Sequence, residues 1–256
     1  MKHTFIDEYS KINSFIHRLD PRIKIIGLLF FILLVVFTQP NSIFAFALYG
    51  IVISILILLS KVPIKHLLKR SLVIIPFVLT IAIFIPFFKK GRVAGGYSFG
   101  TLKLTVTYDG LMILWNVTVK AILSVLCTIL LITTTRFSDL LKALEKLKCP
   151  RLFTMVLSFM YRYIFVIEDE LMKMRQAKES RSVGGSRWFH TKVLANMLGV
   201  LFIRAYERGE NVYLAMCSRG FDGQIRTMND FRLKMTDFCF LFILISILTG
   251  IRIFGT

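Results

Sequence analysis

Residues Ser42–Ser60 read SIFAFALYGIVISILILLS, a stretch without a single Asp, Glu, Lys, Arg or His. A helix rises about 1.5 Å per residue, so about 20 apolar residues cross roughly 30 Å of hydrocarbon. The stretch therefore reads as a membrane span. A tight polar turn, Gln39-Pro40-Asn41, separates it from an apolar run at 22–38. That run opens with Asp20-Pro21, a carboxylate N-cap followed by proline at the first helical position. Arg22 and Lys24 are expected to snorkel from there to the headgroups. Three further apolar runs follow at 72–88, 110–134 and 238–254. Pro76 lies inside the first of these three, where a membrane helix accepts it with a kink.

The composition agrees. Of 256 residues 55% are hydrophobic, well above what a soluble chain of this length carries. The net charge is +18 with only 19% charged residues. The Lys and Arg flank apolar runs and fill the segment from Arg136 to Lys234, which marks cytoplasmic parts of a membrane protein. No stacking-aromatic motif accompanies the charge, so nucleic acid is not an expected partner. Cys127, Cys149, Cys217 and Cys239 lack metal-ligand spacing and read as reduced structural thiols. His3, His17, His66 and His190 are scattered, so no metal site is expected. Residues 1–20 are polar and the first apolar run is too long for a signal h-region, so no cleavable leader is expected.

Basic flanks set the orientation. Lys11, Arg18, Arg22 and Lys24, and then Lys61, Lys65, Lys69 and Arg70 in the 61–70 loop, place the N-terminus and that loop in the cytoplasm. The chain then crosses outward at 72–88 and returns at 110–134. The intervening 89–109, with Gly95-Gly96 and alternating Thr, Val and Tyr, reads as a small extended turn or hairpin. The expected fold is an all-α membrane protein. It has an N-terminal bundle over 1–135, a cytoplasmic region over 136–236 and a C-terminal membrane helix over 237–256, about five spans in all.

Three amphipathic helices are predicted in the cytoplasmic region. The first is 138–148, with Leu140, Leu141, Leu144 and Leu147 on its apolar face, Ser138 as cap and Pro150 as terminator. The second is 152–180. Its apolar half, 152–167, is short and carries Arg162 near its centre, so it is placed under or partly in the membrane; a sixth span is the alternative. Gly184-Gly185 ends that region. The third runs from about 190 to 218, with an apolar core at 193–203 too short to span. Glu168-Asp169-Glu170 reads as a solvated helix face. The two long helices are expected to form a crossed pair.

Within 110–134, Asn116, Lys120, Ser124 and Thr128 recur every four residues and share one face. An ammonium facing lipid is costly, so the stripe either packs against other helices or faces a partner or a transport path. Each long cytoplasmic helix ends in an arginine among small neighbours: Ser180-Arg181-Ser182 and Ser218-Arg219-Gly220. Guanidinium is a rigid, permanently charged fork suited to carboxylates. A cation at a helix C-terminus is also favoured by about 0.3–1 kcal/mol through the helix dipole. The pair therefore reads either as docking points for soluble proteins or as ordinary caps.

The stretch from Leu198 through Arg204, Tyr206-Glu207-Arg208, Tyr213 and Ala215-Met216 to Arg219-Gly220-Phe221-Asp222-Gly223 resembles the transmembrane T component of energy-coupling-factor importers, the CbiQ/EcfT family. Tyr161-Arg162-Tyr163 leading to Glu170, Ala177 and Arg181, and Arg18-Leu19-Asp20-Pro21-Arg22-Ile23-Lys24, resemble it too. The resemblance covers almost the whole chain. It implies a non-catalytic subunit in a prokaryotic cytoplasmic membrane, joining two ATP-binding-cassette ATPases to a small membrane substrate-binding subunit. ATP and Mg would be bound by the ATPases and no cofactor by this chain. The matching positions for ATPase docking are Ser180, Arg181 and Ser182, and Ser218, Arg219 and Gly220. Serines replace the commoner Ala and Gly around Arg181. Likeness to the CbiQ branch points to cobalt or nickel; vitamin importers share the motifs. A rival is a membrane-embedded lipid or prenyl-phosphate enzyme with arginines as phosphate binders, for which Glu168-Asp169-Glu170 is the sole acidic candidate. No phosphate-cradling Gly-x-x-x-x-Gly-Lys loop is present.

Overall fold

The computed structural model describes residues 14–40, 42–88, 93–99, 102–181, 184, 187–223 and 233–255. His3, Lys11, Lys89, Lys90, Arg92 and Ser182 lie outside the described residues. Among the described residues nine helices and one hairpin follow in order: α1 (Phe15–Arg18), α2 (Pro21–Phe37), α3 (Ile43–Ser60), α4 (Ile64–Phe88), β1 (Val93–Phe99), β2 (Leu102–Thr107), α5 (Tyr108–Thr134), α6 (Phe137–Lys146), α7 (Arg151–Arg181), α8 (Arg187–Cys217) and α9 (Met235–Gly255). The protein is an all-α membrane protein. Its strands pair antiparallel, with Phe99 opposite Leu102, the small hairpin expected between 89 and 109.

The chain divides into two compact units, residues 141–230 and, flanking them in sequence, 2–140 with 231–256. In the second of these, α2, α3, α5 and α9 share one apolar core. Phe31 and Tyr49 meet edge to face at 5.9 Å at its centre. Val35, Ala45, Tyr49, Cys127 and Leu248 are wholly buried around them. The Thr38 hydroxyl donates to the Tyr49 oxygen at 3.4 Å. Val62, Leu67 and Ile129 tie the start of α4 to α5. Leu33, Val36, Ile51, Leu58, Phe242 and Ile243 point outward, an apolar surface suited to hydrocarbon.

Residues Ile43–Ser60, Gly110–Thr134 and Met235–Ile253 are long and apolar enough to cross a membrane by themselves. The α2 helix is 17 residues long and carries Arg22 and Lys24 in its first turns. The α4 helix differs from expectation at its start. It begins at Ile64, so Lys65, Lys69 and Arg70 lie on helix and not in a loop. It runs unbroken through Pro76, whose carbonyl accepts from the Thr80 hydroxyl at 2.7 Å.

Asp20 caps α2 as the sequence implies, accepting from the Arg22 N–H at 2.9 Å. Lys24 does not snorkel. It is 4% exposed, and its Nζ donates to the carbonyls of His17 at 3.2 Å and of Thr134 at 3.1 Å. Thr134 ends α5, where the last carbonyls have no intrahelical donor. A lysine arriving from a neighbouring helix satisfies one of them inside the protein, and that site wins over the headgroups. Asp20, Asp139 and Asp237 bring three carboxylates to bear on the same ammonium. Asp237, in the first turn of α9, accepts from the Lys234 N–H at 3.0 Å and from the Asp20 N–H at 3.4 Å. In α6 the cap is shifted by two residues from expectation: the N–H groups of Asp139 and Leu140 both donate to the Arg136 carbonyl at 3.0 Å, ahead of Ser138.

Candidate functional site

In residues 141–230 the two longest helices, α7 and α8, each have 31 residues. They follow one another and meet where Glu170 of α7 is hydrogen-bonded to Arg204 of α8. Away from that point they separate. One recess of about 430 Å³ lies between them beside Glu170, Arg204 and Arg208. Another, of about 420 Å³, lies beside Lys178, Arg181 and Arg204. Arg204 borders both, so it stands at the crossing. A third, mostly apolar recess of about 500 Å³ lies where Met155, Phe159 and Met160 of α7 face Val212, Tyr213 and Met216 of α8. Early α7 thus faces late α8, as an antiparallel crossed pair requires.

Arg181 is the final residue of α7, exposed, with Lys178 in the same last turn. Ser180 is exposed and returns its hydroxyl to the Gln176 carbonyl at 2.8 Å, away from the arginine. Gly184 follows with φ +78°. The recess next to Arg181 combines Lys178, Arg181 and Arg204 with an apolar floor of Phe189, Val193 and Met197. It suits a partner bearing carboxylate and apolar side chains together.

Arg219 is held by a different device. The Phe221 N–H donates to the Met216 carbonyl at 3.1 Å and the Gly220 N–H to the Cys217 carbonyl at 3.0 Å. Gly220 has φ +75°. This is the paired bond pattern that closes a helix through a left-handed residue. It makes Arg219 the last residue before the chain turns, exposed beside exposed Ser218 and Gly220. Phe221 folds back along Met216, and both border the apolar recess. The same device ends α6: Cys149 N–H donates to Leu144 at 3.1 Å, Lys148 N–H to Glu145 at 3.2 Å, and Lys148 has φ +68°.

From the crossing to Arg181 is 11 residues along α7 and to Arg219 is 15 along α8. At about 1.5 Å per residue the arginines sit about 16 and about 22 Å from the crossing, on opposite arms. The structure thus brings neither arginine to the other; it holds them apart.

The four residues of the α5 stripe stand in different surroundings. Asn116 is buried, Lys120 donates to the carbonyls of Val36 at 2.9 Å and Thr38 at 2.7 Å, and exposed Thr128 bonds back to Ser124 at 2.9 Å. Lys120 also lies 5.9 Å from the Phe46 ring centroid. The packing alternative describes Asn116, which is buried, and Lys120, whose hydrogen-bond partners lie within this chain.

The acidic triplet is dispersed: Glu168 is exposed and Glu170 is committed to Arg204. Among the described residues no three His, Cys, Asp or Glu side chains gather as a metal site. The Glu170–Arg204 contact was not legible from spacing, since the two are 34 residues apart.

An all-α membrane protein whose two longest helices cross in a separate, arginine-tipped unit is the class these features define. The family model of CbiQ, described as cobalt transport protein, matches residues 12–229. The chain belongs to the CbiQ family. It is 31% identical to the energy-coupling factor transporter transmembrane protein EcfT of Listeria innocua over 98% of this chain and 97% of that protein. It is 30% identical to the EcfT of Staphylococcus aureus over 90% and 88%, respectively. An uncharacterized protein of Methanocaldococcus jannaschii is 30% identical over 94% of this chain and 82% of its own length.

Proposed function

We propose that the chain is the non-catalytic transmembrane coupling subunit of an energy-coupling-factor importer, with two ATP-binding-cassette ATPases seated on Arg181 and Arg219. The observation carrying this reading is that two crossed helices carry exposed arginines at their C-terminal ends, on opposite arms, with Gly184 and Gly220 in left-handed conformation after them. Separated tips suit two separate partners. Each ATPase would bind ATP and Mg and offer carboxylates to a guanidinium. Closure of the ATPases on ATP would move the two tips together, and the crossed helices would pass that motion to a small membrane substrate-binding subunit. Membership in the CbiQ family and the names of the EcfT relatives support the assignment.

The basic residues Lys11, Arg18, Arg22 and Lys24, those of 61–70 and those of 136–234 support a cytoplasmic N-terminus and cytoplasmic arginine tips. The family description favours cobalt, or the chemically similar nickel, as cargo. The cargo would be bound by the partner membrane subunit.

The test is co-purification of the ATPases with the Arg181→Glu/Arg219→Glu chain. Leaving a buried interfacial charge unpaired costs about 2–5 kcal/mol, so capture should be lost while the chain still inserts in the membrane. Undiminished capture would overturn the docking reading. Uptake of radiolabelled cobalt by cells carrying the complete complex tests the cargo separately.

A further inference from the structure

We infer that the Glu170–Arg204 ion pair is the pin that sets the angle between α7 and α8 and hence the spacing of the Arg181 and Arg219 tips. The inference rests on the docking reading for its functional meaning, but its geometry stands alone. Two helices usually fix their crossing by interlocking apolar ridges. Here that constraint is weak. In α7 only Thr154 is buried among the described residues, and α8 contributes no buried residue. Open recesses of about 430 and about 420 Å³ flank the crossing, and Arg204 borders both. The ion pair closes the gap between them, and Glu170, with its side chain 23% exposed, is the more enclosed partner.

A charge pair is well suited to this task. Arginine presents a planar fork whose N–H groups fix direction as well as distance to a carboxylate. A slip of one helix by a single turn moves the partners about 5.4 Å apart and breaks the contact. Apolar neighbours such as Val166 and Leu201 would tolerate such a slip. With both arms longer than about 15 Å, a small rotation at the crossing becomes a large displacement at the tips. On the docking reading Glu170 and Arg204 are therefore positioning residues, which decide where Arg181 and Arg219 stand. A second ion pair on the same helix gives the contrast. Arg175 and Glu179, 2.9 Å apart, are both mostly exposed and lie within one helix, so they hold no angle.

The experiment reads the spacing directly. The full chain, with Cys149, Cys217 and Cys239 replaced by serine, is labelled with nitroxides at Ser180→Cys and Ser218→Cys in lipid nanodiscs, and the interlabel distance is measured by pulsed electron resonance. Glu170→Arg and Arg204→Glu, each alone, are expected to shift or broaden the distribution by about 5 Å, one helical turn. The exchange Glu170→Arg/Arg204→Glu should restore it. The exchange Arg175→Glu/Glu179→Arg should leave it unchanged. An unaltered distribution in either single variant, or an exchange that fails to restore it, would overturn the pin. Failure of docking alone shows up differently, as ATPase capture that survives Arg181→Glu/Arg219→Glu, with the distance results unaffected.

Discussion

Lys24 and Lys120 cap each other's helices. Lys24, near the start of α2, donates to Thr134 at the end of α5; Lys120, on α5, donates to Val36 and Thr38 at the end of α2. Two antiparallel helices thus exchange one ammonium each. Each satisfies carbonyls that the helix cannot bond internally, in surroundings where lipid offers no substitute donor.

The two ends differ in burial, and the cost of losing each should differ with it. Lys24 is 4% exposed and faces three carboxylates. Lys24→Met removes the buried cation from among them and should cost about 3–5 kcal/mol. Lys120 is only partly buried, and Lys120→Met should cost about 1.5–3 kcal/mol. Thermal unfolding in detergent should rank Lys24→Met well below Lys120→Met, and equal melting temperatures would contradict the ranking.

Gly220 has φ +75° and no heavy atom within 4 Å of the position a Cβ would take. Crowding therefore contributes nothing, and the backbone alone sets the penalty. Gly220→Val should cost ~1–2 kcal/mol, while Gly220→Asn, which tolerates the left-handed region, should cost less. On the docking reading the Val variant lowers ATPase affinity by roughly tenfold for each 1.4 kcal/mol. The Asn variant stays near wild type in the same titration.

Lys148 occupies the same left-handed position at the end of α6, with φ +68°. Lys148→Gly should raise stability by roughly 1 kcal/mol. An increase in melting temperature of the purified chain is the expected readout, opposite in sign to that of Gly220→Val.

Gly27 lies where α2 approaches α9: a Cβ there would stand 3.0 Å from Leu244 Cδ2 and 3.6 Å from Leu241 Cδ1. Both obstacles are flexible methyl ends, so Gly27→Ala needs only a small adjustment and gains helix propensity of about 1 kcal/mol. It should be close to neutral. Gly27→Leu overpacks the contact and should cost about 1–3 kcal/mol. Comparing the unfolding of the two variants checks the approach.

The apolar runs at 42–60, 110–134 and 238–254 announced three helices long and apolar enough to cross a membrane, because hydrocarbon demands length and composition, which a sequence displays directly. The ends of α7 and α8 were legible within a few residues, since Gly184 and Gly220 mark left-handed exits. Lys24 was misread because snorkelling and capping demand the same residue at the same place. The outcome depends on Thr134, 110 positions away. The start of α4 was missed because Lys65, Lys69 and Arg70 look like a loop until Ile64 is seen to lead a helix. Glu170 and Arg204 are joined by a crossing that no local period encodes. Arg181 and Arg219 stood out for their small neighbours, and the structure adds that they lie on opposite arms.

The chain leaves the larger unit just after Asp139 and comes back just before Asp237, and both carboxylates act on Lys24. Departure and return are thus neighbours, the arrangement that lets one stretch of polypeptide be inserted into another without disturbing its host. Residues 141–230 are in that sense a cassette. On the docking reading, exchanging them with the equivalent stretch of an EcfT relative should preserve the bundle and transfer the donor's ATPase preference, so that motor choice and membrane partner choice would be free to diverge separately.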